Sequence, residues 1–307
     1  MRAKMERKRQ LRFGAINITM PPPHRPERYV QLFQEAYKLE QTIKLQGDWV
    51  GLIGSLRLVD DGDGYPFFHG EFYKYINLDA TRDWFNVRRG KPANDEELGA
   101  INIPDELKPH FQFLPFVFFP KRHRLVLVTK DRNDTLSSGQ AAQILERLFS
   151  AKELLPTYGK LEIIVEPSRE TLDRIFAMRR LRSLIIEISP PNPDDFEELE
   201  HEVFENMDEQ QASSYKIELR EADSRGLAPN KRTKQLAHVA QSNGKVVGVS
   251  GERGKIKTVS TKDHPLEERA DYFPDLQLRT EVLLTTAQAL LKRIFNNRPD
   301  NKEPAVR

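Results

Sequence analysis

The sequence predicts an α+β fold with mixed or antiparallel sheets and helices packed on one face. Runs of β-branched and aromatic residues alternate with polar residues, which is typical of strands. Between these runs lie segments whose apolar residues recur every three or four positions, which indicates amphipathic helices. Clusters of Pro, Gly, Asn and Asp separate the segments. At 307 residues, the chain has room for one large domain or two ordinary ones.

The N-terminal half begins with a strand and a helix. LRFGAINITM, residues 11–20, alternates apolar and polar residues and is closed by three prolines. Pro26 suits the first turn of a helix, whose apolar face would contain Tyr29, Phe33 and Tyr37. The segments expected next are a hairpin (48–59 and 65–78) around DDGDG, a polar connection with a short helix (81–107), two strands (111–119 and 124–130) and a helix (136–151).

From residue 159 the expected order is a β-α-β-α-β unit. Its segments are KLEIIVEP, SRETLDRIFAM, RSLIIEIS, PDDFEELEHEVFENM and YKIELREA. A β-hairpin with its turn at Asn243-Gly244 follows, because Asn-Gly is a strong hairpin dipeptide. A terminal helix is expected over about 279–295. LLPTYG carries Pro and Gly between regular segments, so we expect two α+β domains, 1–155 and 156–296, and a disordered tail, 297–307.

The composition predicts a cytoplasmic protein without a membrane span. No apolar run approaches the roughly 20 residues that a spanning helix needs. The absence of cysteine excludes disulfides, thiolate zinc sites and cysteine nucleophiles, and it fits a reducing compartment. The net charge is only +2, but acidic residues cluster at 194–210 and basic residues at 1–12, 121–124 and 216–262. Such segregation permits an anion-binding surface.

We expect neither a metal nor a cofactor. DDGDG resembles the start of a calcium loop, but the acid needed at the twelfth position is missing. The seven histidines lack metal-ligand spacing, and the sequence contains no GxSxG, Walker A or GxGxxG motif. A metal-dependent nuclease or toxin stays open as an alternative, with candidate carboxylates at Glu162, Glu166, Glu218 and Glu221. Strand alternation puts Glu162 and Glu166 on one face, which a solvated sheet face also explains.

Two basic groups are the candidate nucleic-acid contacts. The first lies in FFPKRHRLVL, where Pro120 ends a strand and Lys121, Arg122, His123 and Arg124 occupy a turn before the next strand. The residues of the second group precede or lie beside the strands of the late hairpin, and they are Lys231, Arg232, Lys234, Arg253, Lys255 and Lys257. Cations presented by a β-hairpin suit contacts with the phosphates of a nucleic acid. The alternatives are a solvated turn for the first group and protection of an exposed sheet edge for the second.

A third hypothesis is a scaffold that docks a partner protein through the acidic helix at 194–208. Phe196, Leu199, Val203 and Phe204 would lie on one face of this helix and acids on the others. Most helices with this pattern bury the apolar face in their own core.

Several segments resemble a known family. They are GAINI, GDWVGLIGSL, PFVFFPKRHRLVL and VSTKDHP. In these segments the chain is similar to an uncharacterised bacterial domain family of about 300 residues, found in genomes rich in mobile elements and antiphage genes. The late hairpin and final helix are similar in organisation to RexA-like phage-exclusion proteins and to the KwaB component of the Kiwa defence system. This resemblance implies DNA binding without sequence preference, as dimers.

Together these observations favour a cytoplasmic, homodimeric protein that binds duplex DNA through its backbone. The resemblance places it in antiphage defence, as a sensor or effector, and an operon-encoded partner protein is a further expectation.

Overall fold

The structure is a computed structural model, and it describes residues 8–23, 25–60, 66–78, 83–190, 198–252 and 255–296. The first elements are β1 (Arg9–Thr19), α1 (Pro26–Lys38), β2 (Ile43–Lys44), β3 (Trp49–Val59), β4 (Phe67–Ile76), β5 (Phe85–Asn86), β6 (Lys91–Pro92), α2 (Asp95–Gly99), β7 (Gln112–Phe119), β8 (Arg124–Asp131), β9 (Asp134–Thr135), α3 (Ser138–Phe149) and α4 (Leu155–Tyr158). The later elements are β10 (Glu162–Val165), α5 (Glu170–Phe176), β11 (Leu181–Ile188), α6 (Glu198–Glu209), β12 (Tyr215–Arg220), α7 (Lys231–Ser242), β13 (Gly244–Glu252), β14 (Lys255–Ser260), β15 (Glu268–Tyr272) and α8 (Arg279–Asn296). The predicted α+β class is confirmed. The tail, 297–307, and most of DDGDG lie outside the described residues.

A large antiparallel sheet forms the first unit. Within the described residues its order is β10-β1-β8-β7-β4-β3-β2, with β15 also paired to β1 and β9 to β8. The interior of β1 and β8 is buried on both faces, because helices cover both sides. On one face Phe33 of α1 stacks on Phe118 at 4.2 Å. On the other, Arg279 at the start of α8 lies over the ring of Phe113. Side chains on a strand alternate between faces, which places Phe113 opposite Phe118.

A four-stranded antiparallel sheet forms the second unit, in the order β12-β11-β13-β14. Leu184, Ile186 and Ile188 alternate along β11 and are fully buried. They share a separate hydrophobic core with residues of α5, α6 and α7, so this sheet carries its helices on one face. The opposite face of the sheet is partly exposed.

The two cores divide the chain differently from the predicted boundary near residue 155. The order β10-α5-β11-α6-β12 occurs as predicted, but β10 pairs with β1 in the large sheet. The chain returns to that sheet at β15, and Leu283 and Leu290 of α8 belong to the first core. The second unit is therefore inserted between β10 and β15.

The predicted turn at Asn243-Gly244 is wrong. Residues 231–242 form helix α7, because Leu236, Val239 and Ala240 recur at helical spacing and bury against the sheet. The Asn230 side chain caps the helix by accepting a hydrogen bond from the backbone N–H of Thr233 at 2.8 Å. Gly244 begins β13, where a Cβ atom would overlap the carbonyl oxygen of Glu187. The glycine therefore permits close strand approach, and the hairpin lies between β13 and β14.

Candidate nucleic-acid interface

The smaller sheet has two ends with different surroundings. At one end, which we call the junction end, Ile188 pairs with Gly244, and the preceding Ser242 and Asn243 contact the first unit. At the other end, which we call the free end, Glu252 pairs with Lys255. An eight-residue strand such as β11 separates the ends by about 26 Å.

Arg124 lies at the centre of the junction end. Its side chain is fully buried, and its Nε lies 2.7 Å from Oε1 of Glu166, whose side chain is 4% exposed. Its Nη1 donates to Oδ1 of Asn17. Nδ2 of Asn17 in turn donates to the carbonyl oxygen of Ser242 at 2.8 Å, and the Ser242 hydroxyl donates to Glu166 at 3.1 Å. This network joins the two units through buried polar groups.

The burial of Arg124 and His123 removes both from the predicted contact surface. His123 is fully buried, adopts a left-handed backbone conformation with φ of 52°, and packs its ring 4.5 Å from that of Tyr29. Neither side chain presents surface to a phosphate. Lys121 is partly exposed and Arg122 is exposed, with the Arg122 guanidinium 4.8 Å from the ring of Phe295. The KRHR block thus splits into two buried and two surface residues.

The second basic group converges on the free end. Helix α7 ends where β13 begins and packs back along β13 and β11, which brings its first turn to the free end. Lys231, Arg232 and Lys234 are exposed in that turn. Lys234 Nζ lies 5.8 Å from the ring of Phe176, at the C-terminal end of α5.

Lys255 and Lys257 reach the same end and the same side of the sheet. Both are exposed on the edge strand β14. Alternation places them on the face of Val259, which is buried against the helices. The two parts of the predicted basic group therefore lie at the same end and on the same side of the second unit, whereas Lys121 and Arg122 belong to the first unit. Arg253 lies outside the described residues.

The free-end cations are weakly neutralised. Within the part of the chain that the structure describes, Lys231, Lys234, Lys255 and Lys257 form no ion pair. Arg232 pairs with Glu202 of α6 at 2.6 Å, but both side chains are more than half exposed. Helix N-termini usually favour acidic residues, and α7 has none in its first turn. Its three cations add to the positive end of the helix dipole, so this end attracts anions.

Two arginines at the same end are held by a carboxylate. Arg180 and Arg182 both contact Glu221, at 2.7 Å and 3.0 Å. Hydrogen bonds from Arg180 and then Arg182 lower the pKa of Glu221 below its ordinary value. These arginines are not among the contacts predicted from the sequence, although the run RRLR at residues 179–182 is a basic signal before and at the start of β11. The single carboxylate of Glu221 balances one of these two positive charges.

The carboxylates proposed for a nuclease do not converge. Alternation along β10 keeps Glu162 and Glu166 on one face, as predicted, but Glu162 is exposed whereas Glu166 is buried beside Arg124. Glu218 pairs with Arg220 at 2.7 Å. Within the described ranges, no three His, Cys, Asp or Glu side chains are placed to hold a metal ion.

The apolar face of the acidic helix α6 is buried inside the second unit. Val203 and Met207 of α6 are buried in the second core. Glu202, Glu205 and Asp208 are exposed. Phe196 lies outside the described residues.

Comparison with known protein families identifies a family model that matches most of the chain. The model of the family described as Domain of unknown function (DUF4747) matches residues 9–288. The chain belongs to this family. The DUF4747 match runs from the first residue of β1 into α8 and so includes both units and both ends of the smaller sheet. The expected domain family of about 300 residues is confirmed. No curated protein matches the chain in sequence. Among the described helices, none is long and apolar enough to cross a membrane.

Proposed function

We propose that this DUF4747 protein binds duplex DNA through the phosphate backbone, without sequence preference, at the free end of the smaller sheet. The observation that carries the proposal is the presence there of four exposed lysines that form no ion pair with the residues that the structure describes, Lys231, Lys234, Lys255 and Lys257. Lysine ammonium groups contact phosphates as point charges and read no base edges. Arg232 adds a fifth cation when it exchanges Glu202 for a phosphate.

The shape of the free end supports backbone contact. Lys255 and Lys257 lie on the edge strand β14, and Lys231 and Lys234 lie in the first turn of α7, which packs on the neighbouring strands β13 and β11. The N–H groups of that first turn add donors that suit a phosphate oxygen. The junction lies at the opposite end of the sheet, so the first unit does not cover these groups.

The biological role that we propose is sensing or executing a response to phage DNA in the cytoplasm, as a homodimer. The support for this part is the resemblance of the sequence to RexA-like proteins and KwaB. A dimer would present two free ends to one duplex, which would raise the affinity of weak phosphate contacts. Sedimentation equilibrium with and without DNA measures the proposed stoichiometry.

The binding test uses fluorescence anisotropy with two duplexes of unrelated sequence across a salt series. Four neutralised phosphates predict a slope of log K against log salt of about −3.6 per protomer, since each contributes about −0.9. The two duplexes should bind within about twofold of each other, a difference of about 0.4 kcal/mol. Absence of binding, or binding that salt leaves unchanged, would contradict the proposal. Cleavage of either duplex in the presence of Mg²⁺ would favour the nuclease instead.

A further inference from the structure

An open cleft of about 540 Å³ lies on the first unit, away from the free end. It is bordered by the turn between β8 and β9, the start of β1, the end of β15 and the turn before α8. Its volume falls within the range of small-molecule sites. The residues that give it chemical character are Arg9, Phe113, Asp131, Arg132, Asp134 and Arg279.

Asp131 supplies a buried acceptor at the cleft. Its side chain is 9% exposed, and its Oδ2 accepts from Nη1 of Arg279 at 2.9 Å. Its Oδ1 is buried and has no hydrogen-bond partner in the described chain. A buried carboxylate oxygen without a donor is unfavourable. The cleft can relieve this cost by admitting a ligand with an N–H donor.

A flat wall stands beside this acceptor. The Arg279 guanidinium lies 4.5 Å from the centre of the Phe113 ring, and residue Phe113 remains 38% exposed. The ion pair with Asp131 fixes the Arg279 plane. Arginine planes and aromatic rings both stack on nucleobases.

Asp134 adds negative charge next to Asp131, its partner in the β8–β9 pairing. Burial, and then the charge of Asp131, raises the pKa of Asp134 above its ordinary value, while Arg279 opposes the shift. Two adjacent carboxylates favour a ligand edge that donates hydrogen bonds.

Cations occupy other parts of the border. Arg132 is exposed in the β8–β9 turn, and Arg9 is partly buried at the start of β1. Among the described residues neither forms an ion pair. Guanidinium groups recognise phosphate through paired N–H donors.

From this arrangement we propose that the cleft binds a mononucleotide whose base carries an exocyclic amine. The base stacks on the wall formed by Phe113 and Arg279, its amine donates to Oδ1 of Asp131, and its phosphate contacts Arg9 and Arg132. An amino-acid zwitterion would use the carboxylates and arginines but leave the flat wall uncovered. A nucleotide uses all three features. This site is separate from the proposed DNA contacts.

The test is isothermal titration calorimetry of the full chain with GMP, AMP, CMP, UMP and inorganic phosphate. At least one of the three amine-bearing nucleotides should bind, with UMP at least about tenfold weaker, since uracil cannot donate to Asp131 from an amine. Arg132→Ala should weaken binding by about tenfold without affecting folding, because the side chain is exposed. Arg57→Ala is the matched control, an exposed arginine on β3, and should leave binding unchanged.

Asp131→Asn tests the acceptor directly, and a thermal melt shows whether the variant folds. In folded protein it should abolish the preference over UMP. Equal binding of UMP, binding of phosphate as tight as that of any nucleotide, or no heat with any nucleotide at millimolar concentration would overturn the proposal. The Lys231, Lys234, Lys255 and Lys257 variant described below should retain nucleotide binding, so the failure of one proposal leaves the other intact.

Discussion

The two ends of the smaller sheet both carry cations, but burial and partners give those cations different roles. At the junction end, Arg124 is fully buried and paired with Glu166, so its charge joins the two units. At the free end, Lys231 and Lys255 are exposed and form no ion pair in the described chain, so their charge faces solvent. A basic residue in the sequence therefore indicates a phosphate contact only when its side chain reaches the surface without a carboxylate partner.

The strongest test of this comparison is to remove the buried cation. Arg124→Met leaves the Glu166 carboxylate buried without its partner, and we expect the free energy of unfolding to fall by about 3–5 kcal/mol. Urea denaturation measures the change. The double variant Arg124→Met with Glu166→Leu should recover much of the loss, because apolar replacement of a whole buried pair is often tolerated.

The exposed neighbour provides the control. Arg122→Met removes a surface cation that contacts the ring of Phe295, and it should cost less than about 1 kcal/mol. If Arg124→Met costs no more than Arg122→Met, Arg124 does not hold the junction.

Removing the free-end cations should have a large effect on DNA affinity and a small effect on the free energy of unfolding. Replacing Lys231, Lys234, Lys255 and Lys257 with Gln should weaken DNA binding by roughly 100-fold, about 2.7 kcal/mol, at moderate salt and remove most of the salt dependence. Unfolding should change little, because exposed substitutions usually stay within about 0.5 kcal/mol each. Anisotropy and urea denaturation on the same preparation measure both quantities.

A second set of four exposed lysines on the first unit provides a control with the same change in charge. They are Lys38, Lys108, Lys152 and Lys160. Their replacement by Gln should reduce affinity only slightly, through net charge. Equal losses in the two variants would show that overall charge, and not the free end, governs binding.

A smaller effect is expected from the polar contact between the units. Asn17→Ala removes the donor to Ser242 and the acceptor for Arg124, and it should cost about 1–3 kcal/mol in unfolding free energy. Asn206→Ala, on the exposed side of α6, should cost less than about 0.5 kcal/mol. Native-state hydrogen exchange should locate the Asn17→Ala effect at the junction, and an unchanged exchange pattern there would argue against the network.

The smallest predicted effect concerns the ion pair between Arg232 and Glu202, which we expect to compete with the proposed DNA contact. Glu202→Gln releases Arg232, so DNA affinity should rise a few-fold, less than about 1 kcal/mol, and the salt slope should steepen by up to about 0.9. Unfolding should change by less than about 1 kcal/mol, because both side chains are exposed. Glu205→Gln gives the same change in net charge about one turn nearer the C-terminal end of α6, and it should affect DNA binding less. Weaker binding by Glu202→Gln would contradict the role of Arg232.

Local periodicity predicted most elements but could not assign them to sheets. The strand at β10 was expected, yet its pairing with β1 joins residues far apart in the sequence, such as Ile16 and Val165, which are 149 positions apart. β15 was missed because ERADY is short and mostly polar. At α7, the Asn243-Gly244 dipeptide suggested a turn, but burial of Leu236 and Val239 favoured a helix.

The candidate site was predictable in part. Proximity of the groups around Lys231 and Lys255 was expected, although the element that carries Lys231 was not. The difference in exposure among the four residues of KRHR was harder to predict, since four consecutive polar residues suggest a single solvated turn. Arg124 shares its strand face with Val126 and Val128, both fully buried, and that alternation was the available signal for its burial.

Lysine footprinting would locate the proposed DNA contacts on the protein surface. Exposed lysines are acetylated with and without saturating duplex DNA at low salt, and mass spectrometry measures the protection of each residue. We expect strong protection of the free-end lysines, Lys231, Lys234, Lys255 and Lys257, and unchanged labelling of Lys38, Lys108, Lys152 and Lys160. Protection confined to the first unit, or spread evenly over both sets, would contradict binding at the free end.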